Sequence, residues 1–179
     1  FDPSSILKIE TDQKELESKF EKLFTDIKKS QRPVMLIGGG VKIADATNEL
    51  LEIGNLLKIP MYPTWNALDV VTSDYGYYCG RVGTYGGAGR NFGIQNSDLL
   101  ISIGSRVSGR ITGGNVKTFA RKAKKYMVDI DEGTLNKEFQ QVPFDENINC
   151  DAKKFIKKFK EFLIKEDFKT DHNKEKWLK

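Results

Sequence analysis

Apolar residues along this chain follow two patterns, and the two alternate. At Leu16, Phe20, Leu23, Phe24 and Ile27 they recur at three- and four-residue spacing, which predicts an amphipathic helix with one apolar stripe. Asp12 and Glu15 have the spacing of a helix-entry capping pair, so the helix is expected to start there and run to about Lys29. Val34 to Ile37 is then a continuous apolar run, as a strand buried on both faces requires, and Gly38, Gly39 and Gly40 end it. Helical spacing returns from about Lys42 to Leu57, with Ala46, Leu50, Ile53, Gly54 and Leu57 on one side. "IPMYPT" reads as a second strand, which completes a βαβ unit with a right-handed crossover.

Residues 65–90 lose all periodicity and fill with glycine and tyrosine, centred on "GYYCGRVGTYGGAGR". A loop of that length in a compact domain is usually functional. The alternation then resumes. A short helix is expected around Asn91 to Asn96, a buried strand in "SDLLISIG" and a short basic helix in "KTFARKAKK". "YMVDID" reads as a strand and "ENINCDA" as a weak last one. Asp151 is a good cap for a terminal helix whose stripe is Phe155, Ile156, Phe159, Phe162 and Leu163. Beyond Asp167 the chain turns polar, with Trp177 out of character, and "FDPSSILKIE" at the start reads as an extended linker. Strands alternating with helices predict an α/β fold with a parallel sheet of about six strands.

Length and charge narrow the function classes. The 179 residues suit one domain with a substantial core. Residues 151–179 hold ten lysines against six acids, which accounts for the whole net charge of +4. That excess is expected to form the solvated face of the terminal helix, and no basic stripe suited to nucleic acid remains elsewhere. No apolar run reaches the length of a membrane span, and no signal peptide opens the chain, so a cytoplasmic protein is expected. The first residue is Phe1 rather than Met, which suggests a piece of a longer chain. Cys79 and Cys150 lie far apart without metal-ligand spacing and read as free thiols of a reducing compartment. The one histidine, His172, sits in the polar tail, so neither a zinc site nor a histidine-based triad is expected.

In a parallel sheet, ligands bind beyond the carboxyl ends of the strands. Four pieces of this sequence fall there. Gly38, Gly39 and Gly40 join the first strand to its helix, where backbone N–H groups and the helix dipole can hold a phosphate. Ile43 stands where a dinucleotide fingerprint has its third glycine, and Tyr62, Pro63 and Thr64 stand where an NAD site has an acid, so the glycines serve either a ligand or tight packing. "GTYGGAG", Gly83 to Gly89, lacks the Lys-Ser/Thr of a P-loop, and is either a cradle for a flat ligand or a flexible surface loop. Arg106 and Arg110 follow the best-defined strand and suit a diphosphate, unless they pair with nearby acids. Asp129 and Asp131 flank the end of the next strand and can accept from a ribose, or cap the following turn. Taken together, glycines, arginines and acids on one sheet edge describe a dinucleotide or ADP site.

The combination is more specific than any one piece. "RPVMLIGGGV", "LLKIPMYPTWNALDV", "GRVGTYGGAGRNFGIQNSDLLISIGSRVSGRITG" and "YMVDIDEGTLNK" resemble, in content and order, the central domain of thiamine-diphosphate-dependent enzymes of the acetolactate (acetohydroxyacid) synthase type, over roughly Arg32 to Asp151. The resemblance implies a Rossmann-like three-layer domain over residues 12–166. Residues 1–11 would lead in from an N-terminal domain, and 167–179 would lead out to a C-terminal one. It implies FAD, or ADP, bound here without redox turnover, and thiamine diphosphate and magnesium held by the outer domains of a homodimeric or homotetrameric parent. It maps Gly38, Gly39 and Gly40 to the ribityl–diphosphate region, and Thr64, Trp65, Gly83, Thr84, Tyr85 and Gly86 to the side of the cofactor. Gly104, Ser105, Arg106, Arg110 and Ile111 would hold the diphosphate and adenosine portions, with Asp129 and Ile130 at the adenosine end. It assigns no catalytic residue to this segment. Ser108 and Gly109 stand where the family commonly has two acids, and Thr84 and Tyr85 where it often has Met-His. The alternative is a ligand-free structural domain of a related decarboxylase or lyase.

Overall fold

A computed structural model describes residues 11–170 and Trp177. The expected linker up to residue 10 and His172 lie outside the described residues. Five parallel strands form one sheet: β1 (Pro33–Ile37), β2 (Met61–Pro63), β3 (Leu99–Ile103), β4 (Lys124–Asp129) and β5 (Glu146–Asn149), in the order β2-β1-β3-β4-β5. Around them are α1 (Gln13–Lys29), α2 (Gly40–Ile43), α3 (Thr47–Leu57), α4 (Ala88–Gln95), α5 (Gly109–Thr112), α6 (Glu132–Leu135) and α7 (Ala152–Lys165). The α/β class and the parallel sheet are as expected, with five strands.

β1, β2 and β3 are buried along their whole length and β4 at Tyr126, Met127 and Val128, so alternate residues feed two separate cores. Met35, Ile37, Ile101, Ile103, Tyr126 and Val128 point to the side covered by α1, α3 and α7. Val34, Leu36, Leu100 and Met127 point to the other side, against Val82, Ile94, Phe119, Val142 and Phe144. The α1 and α7 stripes meet through aromatic rings: Phe20 lies 5.2 Å from Phe159 and 5.6 Å from Phe155, centroid to centroid. Trp177 packs against the second core, on the side away from α7.

Two helices depart from the periodic reading. The stretch from Lys42 to Leu57 is not one helix, because Asp45 takes a left-handed conformation (φ 51°) that ends α2 and lets the chain re-enter at α3. Asp tolerates that region better than most side chains. "KTFARKAKK" forms only a 3-10 turn at Val116–Thr118. Phe119, Ala120 and Ala123 are buried beneath the sheet, and left-handed Ala120 (φ 43°) breaks the helical path. The caps hold as read: Asp12 accepts from the Lys14 N–H, and Asp151 from the Lys154 N–H. In the long loop, Met61 takes Tyr78 as a parallel bridge partner beside β2.

Asp98, just before β3, fixes the approach to β1. Its carboxylate accepts from the Ser30 hydroxyl and from the backbone N–H groups of Gln31 and Arg32. Burial alone would raise its pKa, but these bonds and the Arg32 charge outweigh burial and hold it below the usual carboxylate range. A depressed carboxyl stabilises the fold above its unfolded pKa, and that contribution is lost as pH falls through the folded value. Asp98→Asn is therefore expected to flatten the acid limb of the stability profile. Urea midpoints at pH 7 and pH 3 check this: the drop between them should be smaller in the variant, and an equal drop would remove Asp98 from the account.

Candidate functional site

The connection after β1 runs to β2 on one side, and the next strand in sequence, β3, lies on the other side of β1. That reversal opens a crevice at the carboxyl ends of β1 and β3. Its floor is stitched by backbone bonds: Gly38 N–H donates to Ile103 O (2.9 Å), Gly40 N–H to Gly104 O (3.0 Å) and Gly104 N–H to Val128 O (2.9 Å). The approach is so close that a Cβ on Gly38 would sit 2.0 Å from Gly104 O. Gly104 itself is left-handed (φ 63°), which glycine adopts without penalty.

Above this floor lies a cavity of about 1030 Å³. Gly39 and Gly40 form one side, Thr64 and Trp65 enter after β2, and Thr84 and Tyr85 come from the glycine loop. Gly104, Ser105, Arg106, Arg110 and Ile111 follow β3, and Asp129 and Ile130 follow β4. The sequence-derived residues thus converge on one cavity, except three glycines that sit behind its wall. Gly38 is the packing contact just described. Gly83 is held against α5, where the Thr84 N–H donates to Arg110 O at 2.8 Å and a Gly83 Cβ would meet that oxygen at 2.4 Å. Gly86 closes a tight turn, its N–H donating to Gly83 O, and a Cβ there would lie 2.8 Å from Arg81 O.

Charge is distributed unevenly along the cavity. Lysine supplies the cation in every ion pair among the described residues; Arg81, Arg106 and Arg110 take part in none of them. Asp129 and Asp131 mark the β4 end, where the Asp131 N–H donates to Asp129 Oδ1 at 3.0 Å. Burial raises the Asp129 pKa and the Asp131 charge adds to that, while backbone N–H groups of Asp131 and Ile130 and the Arg106 charge oppose. At the β2 end the wall is aromatic: Trp65 is 62% exposed and Tyr85 76%. Cys150 is a wall residue too, but burial raises its thiol pKa and keeps it protonated. No cluster of metal-ligating side chains occurs among the described residues, and no described helix is long and apolar enough to cross a membrane.

Sequence reading missed several wall residues, among them Asn66 and Arg81. Arg81 was visible only as an arginine inside a glycine loop. Its place beside Trp65, sixteen positions earlier, is a tertiary fact.

Comparison with known proteins places this geometry. Residues 20–159, which contain all five strands, match the family described as "Thiamine pyrophosphate enzyme, central domain". The probable acetolactate synthase large subunit of Methanococcus aeolicus is 38% identical over 152 residues, 83% of this chain and 25% of that protein. The acetolactate synthase isozyme 2 large subunit of Escherichia coli (strain K12) is 40% identical over 109 residues, 61% of this chain and 20% of that protein. The acetolactate synthase large subunit of Corynebacterium glutamicum is 39% identical over 111 residues, 62% of this chain and 18% of that protein. The chain therefore spans about a quarter or less of the length of the relatives it resembles. With its five-stranded sheet inside the matched segment, the chain belongs to the thiamine pyrophosphate enzyme central domain family.

Proposed function

We propose that the cavity binds a dinucleotide cofactor, FAD, and that the chain serves as the cofactor-holding centre of an acetolactate synthase-like enzyme. One observation carries the reading: a glycine floor, arginines that form no ion pair among the described residues, and terminal acids meet on a single cavity at the switch point of the sheet. Its volume lies at the upper end of the roughly 300–1,000 Å³ common for small-molecule sites, which suits a dinucleotide. Arginines that form no ion pair among the described residues supply the donors that a diphosphate needs. The fit therefore favours the group.

In this reading Arg106 and Arg110 hold the diphosphate, and Gly39 and Gly40 let the backbone approach it. Asp129 accepts from the ribose at the β4 end with Ile130 beside it, and Thr64, Trp65 and Tyr85 border the other end. Bound in this way, FAD supplies shape and charge rather than electron transfer. The parent enzyme would decarboxylate a 2-keto acid such as pyruvate and join the two-carbon unit to an acceptor. Thiamine diphosphate and magnesium would be held by domains to either side, in a homodimer or homotetramer. This segment orients and connects; none of its residues is given a catalytic role.

Titration with FAD and with ADP tests the reading. The expected result is quenching of flavin fluorescence by the protein and a rise in melting temperature with either ligand. No response to either would favour a ligand-free structural domain. Turnover of a 2-keto acid by this chain alone would overturn its silent role.

A further inference from the structure

We propose that Asn91 is a positioning residue of this cavity: its carboxamide holds the glycine loop, the loop holds α5, and α5 carries Arg110 to the diphosphate. The inference rests on the proposed cofactor reading and adds to it a residue that touches no ligand.

The turn that carries Arg110 has little support of its own. α5 is four residues long, barely one turn, and helices that short do not persist in water unaided. None of its residues is buried, and Ser108 at its start makes no side-chain capping bond. Val107 before it is buried, but at a left-handed φ of 48° that a β-branched side chain adopts only under strain. Thr84 steadies the turn from outside. Its N–H donates to Arg110 O at 2.8 Å and its hydroxyl to the same oxygen at 3.2 Å.

Thr84 depends in turn on Gly83, whose φ of 108° suits glycine. The Gly83 N–H donates to Asn91 Oδ1 at 3.0 Å, and Asn91 Nδ2 donates to Gly83 O at 3.1 Å. An antiparallel strand would make the same pair of bonds with one residue. A carboxamide can replace that strand because it carries a donor and an acceptor side by side. Asn91 is well placed to do so. It belongs to α4, which is fixed to the second core by Ile94 and by the close seating of Gly93 on Tyr62. It is not a wall residue of the cavity but lines a smaller hollow of about 240 Å³ on the other side of the loop. Thr84, Arg110 and Ile111 are wall residues. The carboxamide therefore acts from behind the wall, through Gly83 and Thr84, on the backbone from which Arg110 projects.

Calorimetric titration with ADP tests the proposal in the wild type, Asn91→Leu, Arg110→Ala, Arg106→Ala and the two double variants that contain Asn91→Leu. Leucine is close to asparagine in size, suits a helix and makes neither bond. Asn91→Leu is expected to weaken ADP about tenfold. In the Arg110→Ala background the same change should cost less than about twofold, because the cation it positions is gone. In the Arg106→Ala background it should again cost about tenfold, since Arg106 follows directly from the floor at Gly104 and Ser105. Amide hydrogen exchange supplies a local signature: Asn91→Leu should lose protection at Thr84 and keep it at Gly104. Unchanged ADP affinity in Asn91→Leu, the full tenfold loss in the Arg110→Ala background, or equal loosening of Gly104 would overturn the proposal. Should Asn91→Leu not fold, the wild type decides: slow exchange at Gly83 and Thr84 supports the clamp, and exchange at the rate of a free loop overturns it. A wild type that binds neither FAD nor ADP removes the cofactor reading and this inference with it. A wild type that binds ADP no better than Asn91→Leu removes only the inference.

Discussion

Gly38→Ala is expected to lower the stability of the fold by about 3 kcal/mol, the upper range for overpacking a buried position. Its Cβ would lie 2.0 Å from Gly104 O, 2.4 Å from Gly104 C and 2.6 Å from Ser105 Cβ. Two of those three atoms are backbone, so no side-chain rotation relieves the clash. Nor can the strands part cheaply, since β1 and β3 are in register from Pro33↔Leu99 through Ile37↔Ile103. The Gly38 N–H also donates to Ile103 O, which ties the residue to the strand it would be pushed from. Denaturant midpoints of the wild type, Gly38→Ala and Gly114→Ala measure the effect. A Cβ on Gly114 would meet nothing within 4 Å and the backbone there is not left-handed, so its variant should stay within about 0.5 kcal/mol of wild type. Equal midpoints for the two variants would refute the close approach of β1 and β3.

Arg106→Ala should weaken FAD and ADP alike by about 1.5–3 kcal/mol, or roughly 10- to 150-fold, the loss of a charge-assisted hydrogen bond. The diphosphate is common to both ligands, so both should respond to the same degree. The fold should tolerate the change, because Arg106 is exposed and takes part in no ion pair among the described residues. The Arg106 charge is one of the influences that hold down the pKa of Asp129, so removing it should also raise that pKa further. Calorimetric titrations across pH 4 to 7 read both effects. Unchanged affinity for both ligands would return Arg106 to the ordinary surface.

Parts of the site were legible in the chain because they depend on local rules. Continuous apolar runs locate β1 and β3, and the glycines and arginines after them follow from where parallel strands end. Other parts depend on contacts between distant segments. A run of three glycines does not reveal that Gly38 and Gly40 both pack against Gly104 while only Gly39 and Gly40 line the cavity. Gly83 and Gly86 likewise serve the turn that presents Thr84 and Tyr85. The break at Asp45 is invisible to a period count, because the apolar stripe of α3 continues past it. Arg81 acquires meaning only when the long loop returns over Trp65.

The two margins of the sheet also bear on how this chain meets others. At one margin, β2 is only three residues long, and the Met61↔Tyr78 bridge occupies part of its outer edge. At the other, β5 has four residues, three of them polar, and its Glu146 is caught by Lys19 and Lys22 at 2.5 and 3.2 Å. Short, padded and charged margins are poor templates for a foreign strand. The sheet is therefore protected against growing into a neighbouring molecule, and self-association has to proceed through side-chain surfaces rather than by adding a sixth strand.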